Sequence, residues 1–122
     1  MAETKKKILI VEDDLALSGV LSNKLGIAGY DAAMAPDGQV AMNRIEEDRF
    51  DLILLDLSMP WYDGFQVLEE LKKKESTIPV VVMSNLAGMD SINKAKSLGA
   101  VDYLVKTSVT PDLIVQEIQK YL

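Results

Sequence analysis

The sequence predicts an α/β domain built on a five-stranded parallel sheet, and three observations carry that prediction. Strand-like and helix-like hydrophobic patterns alternate five times along the 122 residues. The connections are short, which favours crossover units that bring each strand back parallel to the last. Three of the strand-like runs, Ile8–Val11, Leu52–Leu55 and Val80–Met83, are apolar without interruption, as strands covered on both faces are.

Taken in order, Ile8–Val11 is the first strand. Asp14 is placed to cap a helix whose stripe is Leu17, Leu21, Leu25 and Ala28, with Gly29 as its stop. Tyr30–Ala35 is a weaker strand, apolar at alternate positions, which suits a sheet edge. Pro36-Asp37-Gly38 turns the chain into a second helix bearing Ala41 and Ile45. After the third strand, Leu52–Leu55, Ser58–Asp63 reads as a loop. Asp63-Gly64 then opens a helix carrying Phe65, Leu68 and Leu71. Pro79 introduces the fourth strand, Val80–Met83, and a helix over roughly Asp90–Leu98 ends at Gly99. Val101–Val105 is the fifth strand. Thr110-Pro111 starts the last helix, with proline at the favoured first position and Ile114, Ile118 and Leu122 as its stripe. Right-handed crossovers leave few strand orders. The order 2-1-3-4-5 of a flavodoxin-like (βα)5 three-layer sandwich puts the uninterrupted strands in the middle.

Composition narrows the chemistry. A chain of 122 residues, 48% hydrophobic and 26% charged, buries its own core as one domain, residues 1–122. The net charge of −6 disfavours direct binding to nucleic acid or to an anionic membrane, both of which need basic patches. There is no long apolar stretch and no signal peptide, and Met1–Lys7 reads as a polar lead-in, so a cytoplasmic protein is expected. Without cysteine there is no disulfide framework or thiolate metal site. Without histidine there is no Ser-His-Asp triad and no His-ligated zinc.

What remains is at the strand ends. The apolar runs stop at Glu12-Asp13-Asp14, at Asp56, at Ser84 and at Lys106. In a parallel sheet these residues converge on one edge, where ligands of open α/β sheets bind. Clustered carboxylates repel one another and an incoming phosphate unless a divalent cation lies among them. Asp56 is therefore the candidate nucleophile, since a carboxylate can accept a phosphoryl group as an acyl phosphate. A plain loop-capping Asp is the competing reading for that residue taken alone. Glu12 and Asp13 are the candidate Mg²⁺ anchors (Mn²⁺ being the alternative ion), Asp13 directly and Glu12 through water. The backbone carbonyl of Ser58 is available to complete the set. A helix-dipole role accounts for Asp14 but explains three consecutive acids less well. Lys106 would neutralise charge on a transferring phosphoryl group, and Ser84 would donate a hydrogen bond to it. Tyr103 alternates along the fifth strand, where it also serves simply to cover the sheet edge.

These segments resemble the receiver domain of two-component response regulators, especially stand-alone receivers of the chemotaxis type. The matching stretches are ILIVEDD (8–14), DLILLDLSMPWYDGF (51–65), IPVVVMS (78–84) and GAVDYLVK (99–106), and they cover all five strands in order. The resemblance implies that Asp56 takes phosphate from a histidine kinase or phosphotransfer protein, or from small donors such as acetyl phosphate. It implies a domain that catalyses its own phosphorylation and slow dephosphorylation. It also implies metal roles for Glu12, Asp13, Asp56 and Ser58. Ser84 and Tyr103 become the switch, acting on the face of helix 4, strand 5 and helix 5 that a downstream protein target reads, as a monomer or a phosphorylation-dependent dimer. Three departures stand out. Thr107 replaces the proline usual after the lysine, commonly behind a cis bond. A cis bond before a non-proline residue costs about 2.5–4 kcal/mol, so a different local backbone is expected there. Asn85 replaces a small residue after Ser84, and Trp61-Tyr62 replaces a small, apolar pair.

The main rival is a receiver-like interaction module that works without phosphorylation. Such a module would normally have lost one of Asp13, Asp56 or Lys106. An aspartate-nucleophile phosphatase needs a second Asp where Ser58 stands. A flavin-binding protein needs a phosphate cradle where Glu12-Asp13-Asp14 would repel it. No output domain is read within the chain, and Thr110–Leu122 ends where a linker to one would begin.

Overall fold

The computed structural model describes residues 5–122. Most of the polar lead-in read over Met1–Lys7 lies outside these residues, and Lys7 is already in the first strand. The strands are β1 (Lys7–Val11), β2 (Asp31–Ala35), β3 (Leu52–Asp56), β4 (Val80–Ser84) and β5 (Asp102–Val105). They alternate with α1 (Leu15–Ile27), α2 (Gly38–Glu47), α3 (Gly64–Lys73), α4 (Met89–Ser97) and α5 (Pro111–Ile118). Every pairing is parallel and the order is β2-β1-β3-β4-β5, as expected.

The period-two geometry of strands divides the core into two layers. On one face, Leu9, Val11, Ile53, Leu55, Val80 and Val82 pack against Ala41 and Met42 of α2, Val67, Leu68 and Leu71 of α3, and Ala95 of α4. On the other, Ile8, Ile10, Leu52, Leu54, Val81 and Met83 meet Leu21 and Leu25 of α1 and Ile114 and Ile118 of α5. This two-sided burial is why β1 beyond Lys7, β3 and β4 have no polar residue until their carboxyl ends. Fully burying each such side chain contributes about 1.5–3 kcal/mol.

The helices start where the caps predict. Asp14 accepts from the N–H groups of Ala16 and Leu17, Asp37 from Val40 and Thr110 from Leu113. Asp63 and Gln66 form a reciprocal capping box at α3. Several boundaries move. Ala28, expected on the buried stripe of α1, is instead its exposed C-terminal cap, because Gly29 turns left-handed with a φ of 97° and its N–H closes onto the Gly26 carbonyl. Tyr30 precedes β2, its N–H bonded to Leu25 O at 2.9 Å. Val101 likewise precedes β5 and is exposed, since the ladder with β4 begins at Asp102 opposite Val81. The α4 helix sits one residue earlier than expected, and Leu122 lies past α5, beyond a 3₁₀ turn over Gln119–Tyr121. No peptide bond among the described residues is cis, so Lys106–Thr107 is trans and opens a 3₁₀ turn over Lys106–Ser108.

Candidate functional site

The parallel sheet delivers the predicted residues to one edge. Asp56 and Ser84 are the last residues of β3 and β4, Glu12 and Asp13 directly follow β1, and Lys106 directly follows β5. Carboxylate oxygens of Glu12, Asp13 and Asp56 all lie within 4.8 Å of one another. Glu12 and Asp56 are buried, whereas Asp13 is exposed at the mouth. Lys106 Nζ bonds Glu12 Oε1 at 2.6 Å and stands 3.2 Å from Asp56 Oδ2. The Ser58 N–H donates to Asp56 Oδ1 at 3.1 Å, which fixes the carboxylate's orientation and carries the chain across the site.

One cation among three carboxylates leaves the site short of positive charge. Burial, then the neighbouring Asp56 carboxylate, push the Glu12 pKa up to about 8 against the opposing pull of Lys106. Burial alone would lower the Lys106 pKa. The hydrogen bond to Glu12 and the charges of Asp56 and Glu12 more than offset it, so the ammonium stands above its usual value. Glu12 Oε2 is buried and has no hydrogen-bond partner. A buried, unpartnered carboxylate oxygen beside two more hard oxygen donors fits a small divalent cation such as Mg²⁺, which takes carboxylates and keeps several waters.

Ser84 and Tyr103 meet through a residue that sequence reading did not single out for this contact. Ser84 Oγ is buried and accepts from the Leu86 N–H at 3.1 Å. The Tyr103 hydroxyl donates to the Leu86 carbonyl at 2.6 Å. The peptide groups on either side of Leu86 are thus held by the two residues, and no side-chain pattern could have signalled it. The pairing of Glu12 with Lys106 was also missed. Thr107 does not displace the lysine: with a trans peptide, Lys106 still reaches both buried carboxylates. Asn85 is exposed.

The loop after Asp56 holds one further feature. Trp61 has a φ of 70° and is 99% exposed. Such left-handed backbone costs a residue with a side chain about 1–2 kcal/mol.

The fold and the site together define a family. The response regulator receiver domain model matches residues 8–119. Over 102 residues the chain is 37% identical to a probable transcriptional regulator ycf27 of Porphyridium aerugineum, covering 84% of this chain and 42% of that one. Over 111 residues it is 35% identical to the transcriptional regulatory protein PrrA of Mycobacterium tuberculosis, covering 91% of this chain and 48% of that one. The chain therefore spans less than half the length of these curated relatives. Among solved structures it superposes on the chemotaxis protein CheY4 of Vibrio cholerae with a TM-score of 0.90 and 26% identity, over 98% of this chain and 100% of that one. It superposes on the response regulator TrrA of Thermotoga maritima, solved in complex with Mg²⁺-BeF, with a TM-score of 0.84 and 27% identity, over 96% and 99%. The chain belongs to the response regulator receiver domain family, the phosphoacceptors of two-component signalling.

Proposed function

We propose that Asp56 is the phosphoacceptor, receiving its phosphoryl group from a phosphohistidine of a histidine kinase or phosphotransfer protein. The observation that carries this reading is the Glu12–Asp13–Asp56 carboxylate cluster, buried at Glu12 and Asp56 and open at Asp13, with one lysine against Asp56 and one oxygen left unpartnered. An Asp56 oxygen attacks phosphorus, the new P–O bond forms as the donor's P–N bond breaks, and the imidazole leaves with the electron pair. The Ser58 N–H holds Asp56 Oδ1, leaving Oδ2 beside Lys106 as the atom that faces charge. Lys106 neutralises the transferring phosphoryl oxygens, and Ser84 donates its hydroxyl to one of them. Glu12, Asp13, Asp56 and the Ser58 carbonyl would hold Mg²⁺, which supplies the second positive charge that lets a phosphoryl group approach carboxylates. TrrA, a structural relative, was solved with Mg²⁺-BeF.

Phosphorylation then biases two packings of the Ser84–Leu86–Tyr103 unit, and a downstream partner reads the face of α4, β5 and α5. All the acceptor residues come from one chain, so the monomer is the acceptor unit. A phosphorylation-dependent dimer through that face is one form of readout. No helix among the described residues is long and apolar enough to cross a membrane. A cytoplasmic setting belongs to this reading and rests on the family.

Incubation with phosphoramidate and Mg²⁺ tests the proposal. Intact mass is expected to rise by one phosphoryl group, with no gain in Asp56→Asn or in the presence of EDTA. Labelling that survives Asp56→Asn would reassign the acceptor. No labelling under any condition would leave the non-phosphorylated interaction module as the reading.

A further inference from the structure

We propose that Trp61 is the docking anchor for a protein donor carrying phosphohistidine. It would set this domain's preference for such a donor over small phosphoryl compounds. The proposal rests on the acceptor reading above.

Trp61 is the most exposed large apolar side chain among the described residues, at 99%, and it lies five residues past Asp56. A mobile loop could expose an indole by accident, but this loop is pinned. Tyr62 N–H bonds Pro60 O at 2.8 Å, and Gly64 N–H bonds Leu57 O at 3.1 Å. Met59 is buried and Tyr62 is wedged against the backbone of Gly38. Between these anchors the chain turns through left-handed backbone at a residue where glycine would be relaxed, and the result is an indole held in solvent.

The surroundings indicate what covers it. Leu15 follows the β1 loop and is 69% exposed, while Leu86 and Met89 in the segment after β4 are 42% and 65% exposed. With Trp61 they stand on the connections that follow β1, β3 and β4, at the sheet edge that carries the acids. Any macromolecule that brings phosphorus within bonding distance of Asp56 must lie across those connections, whereas phosphoramidate has no surface with which to touch them. A second copy of this chain is disfavoured, because it would bring its own exposed Asp13 and Asp14 and a net charge of −6 against the same acids. The complementary surface therefore has an apolar pocket for the indole and basic side chains opposite Asp13 and Asp14, beside its phosphohistidine. Central aromatic anchors of this kind dominate protein interfaces.

The experiment compares two donor classes on wild type, Trp61→Ala, Trp61→Phe and Trp61→Gly, the last of which removes the backbone strain with the side chain. The protein donor is whichever of a panel of autophosphorylated histidine kinases transfers fastest to the wild type. Transfer from that kinase is expected to fall at least about tenfold in kcat/KM for Trp61→Ala and Trp61→Gly, mainly through KM, with partial recovery in Trp61→Phe. Phosphoramidate labelling is expected to stay within about twofold. Equal loss with both donors, or loss with neither, would overturn the proposal. So would a wild-type dimer in sedimentation that Trp61→Ala dissolves. A wild type labelled by phosphoramidate but by no kinase overturns the anchor and leaves the acceptor standing; failure of phosphoramidate itself rejects the acceptor reading.

Discussion

Lys106 is in contact with two buried carboxylates, and its two duties can be separated by substitution. Lys106→Met removes the charge that faces the transferring phosphoryl oxygens. Labelling of Asp56 by phosphoramidate is expected to slow by about 10²–10³, the usual cost of losing a preorganised electrostatic contact. The same change removes a cation that competes for Glu12 and Asp56, so Mg²⁺ affinity, read by Trp61 fluorescence, is expected to hold or rise. A parallel loss of both would mean that the lysine merely supports the fold. Lys106→Arg should recover little, because a planar fork does not replace a compact ammonium between two carboxylates. Tyr62 offers a pH signature of the neighbouring loop. Burial, with the charge of Glu70, raises its phenol above the usual value. The folded state thus keeps its proton where the unfolded state has lost it. That stability is complete below the ordinary tyrosine range and is lost as pH rises through the folded value. In an alkaline titration followed by phenolate absorbance, Tyr62→Phe should remove a late-ionising tyrosine from the four in the chain.

At the scale of elements, helix starts position the site, and α3 is the strictest. A Cβ on Gly64 would lie 2.4 Å from the Asp56 carbonyl oxygen and 2.7 Å from Leu57 Cα, both backbone atoms that cannot give way. Gly64→Ala is therefore expected to destabilise the fold by about 1–3 kcal/mol and to disturb Asp56 directly. Gly19→Ala, in the open face of α1 with nothing within 4 Å, should instead stabilise by about 0.4–1 kcal/mol. Asp63→Ala, which breaks the capping box, should cost about 1 kcal/mol. Urea melts of the three variants give the signs. The same scale shows what the sequence could reveal. β1, β3 and β4 were legible because burial on both faces leaves an uninterrupted apolar run, and each such run ends where the chain reaches the site. Val101 continues the apolar pattern of β5 yet lies outside it, because hydrogen-bond register, not hydrophobicity, starts the strand. Ala28 fails similarly, since helical period carries on past the residue where the cap closes. The Glu12–Lys106 contact was invisible for another reason. Its residues are 94 apart, just past the ends of strands separated by β3 and β4, and only the packed sheet brings their side chains together.

For the whole molecule, the acceptor site works against the stability of the sheet that presents it. Two packed layers supply the stability, and their central strands end in a cluster of carboxylates that the fold alone cannot neutralise. Anything that binds the folded cluster and not the unfolded chain adds RT ln(1 + [L]/Kd), about 2.7 kcal/mol at a ligand concentration one hundred times Kd. For a domain of this size that corresponds to a rise of roughly 10 °C in Tm. Mg²⁺ is expected to produce such a rise in the wild type, and EDTA to abolish it. Asp56→Asn should behave in the opposite way. It keeps the side chain's shape and an acceptor for the Ser58 N–H, and it removes one of the crowded charges. The variant should therefore melt above the wild type in EDTA and gain less from Mg²⁺, so that the two melting curves approach each other as the ion is added. Differential scanning calorimetry across a Mg²⁺ series measures both slopes. Parallel curves for the two proteins would mean that the cation stabilises the chain elsewhere, and that the carboxylates at the strand ends do not hold it.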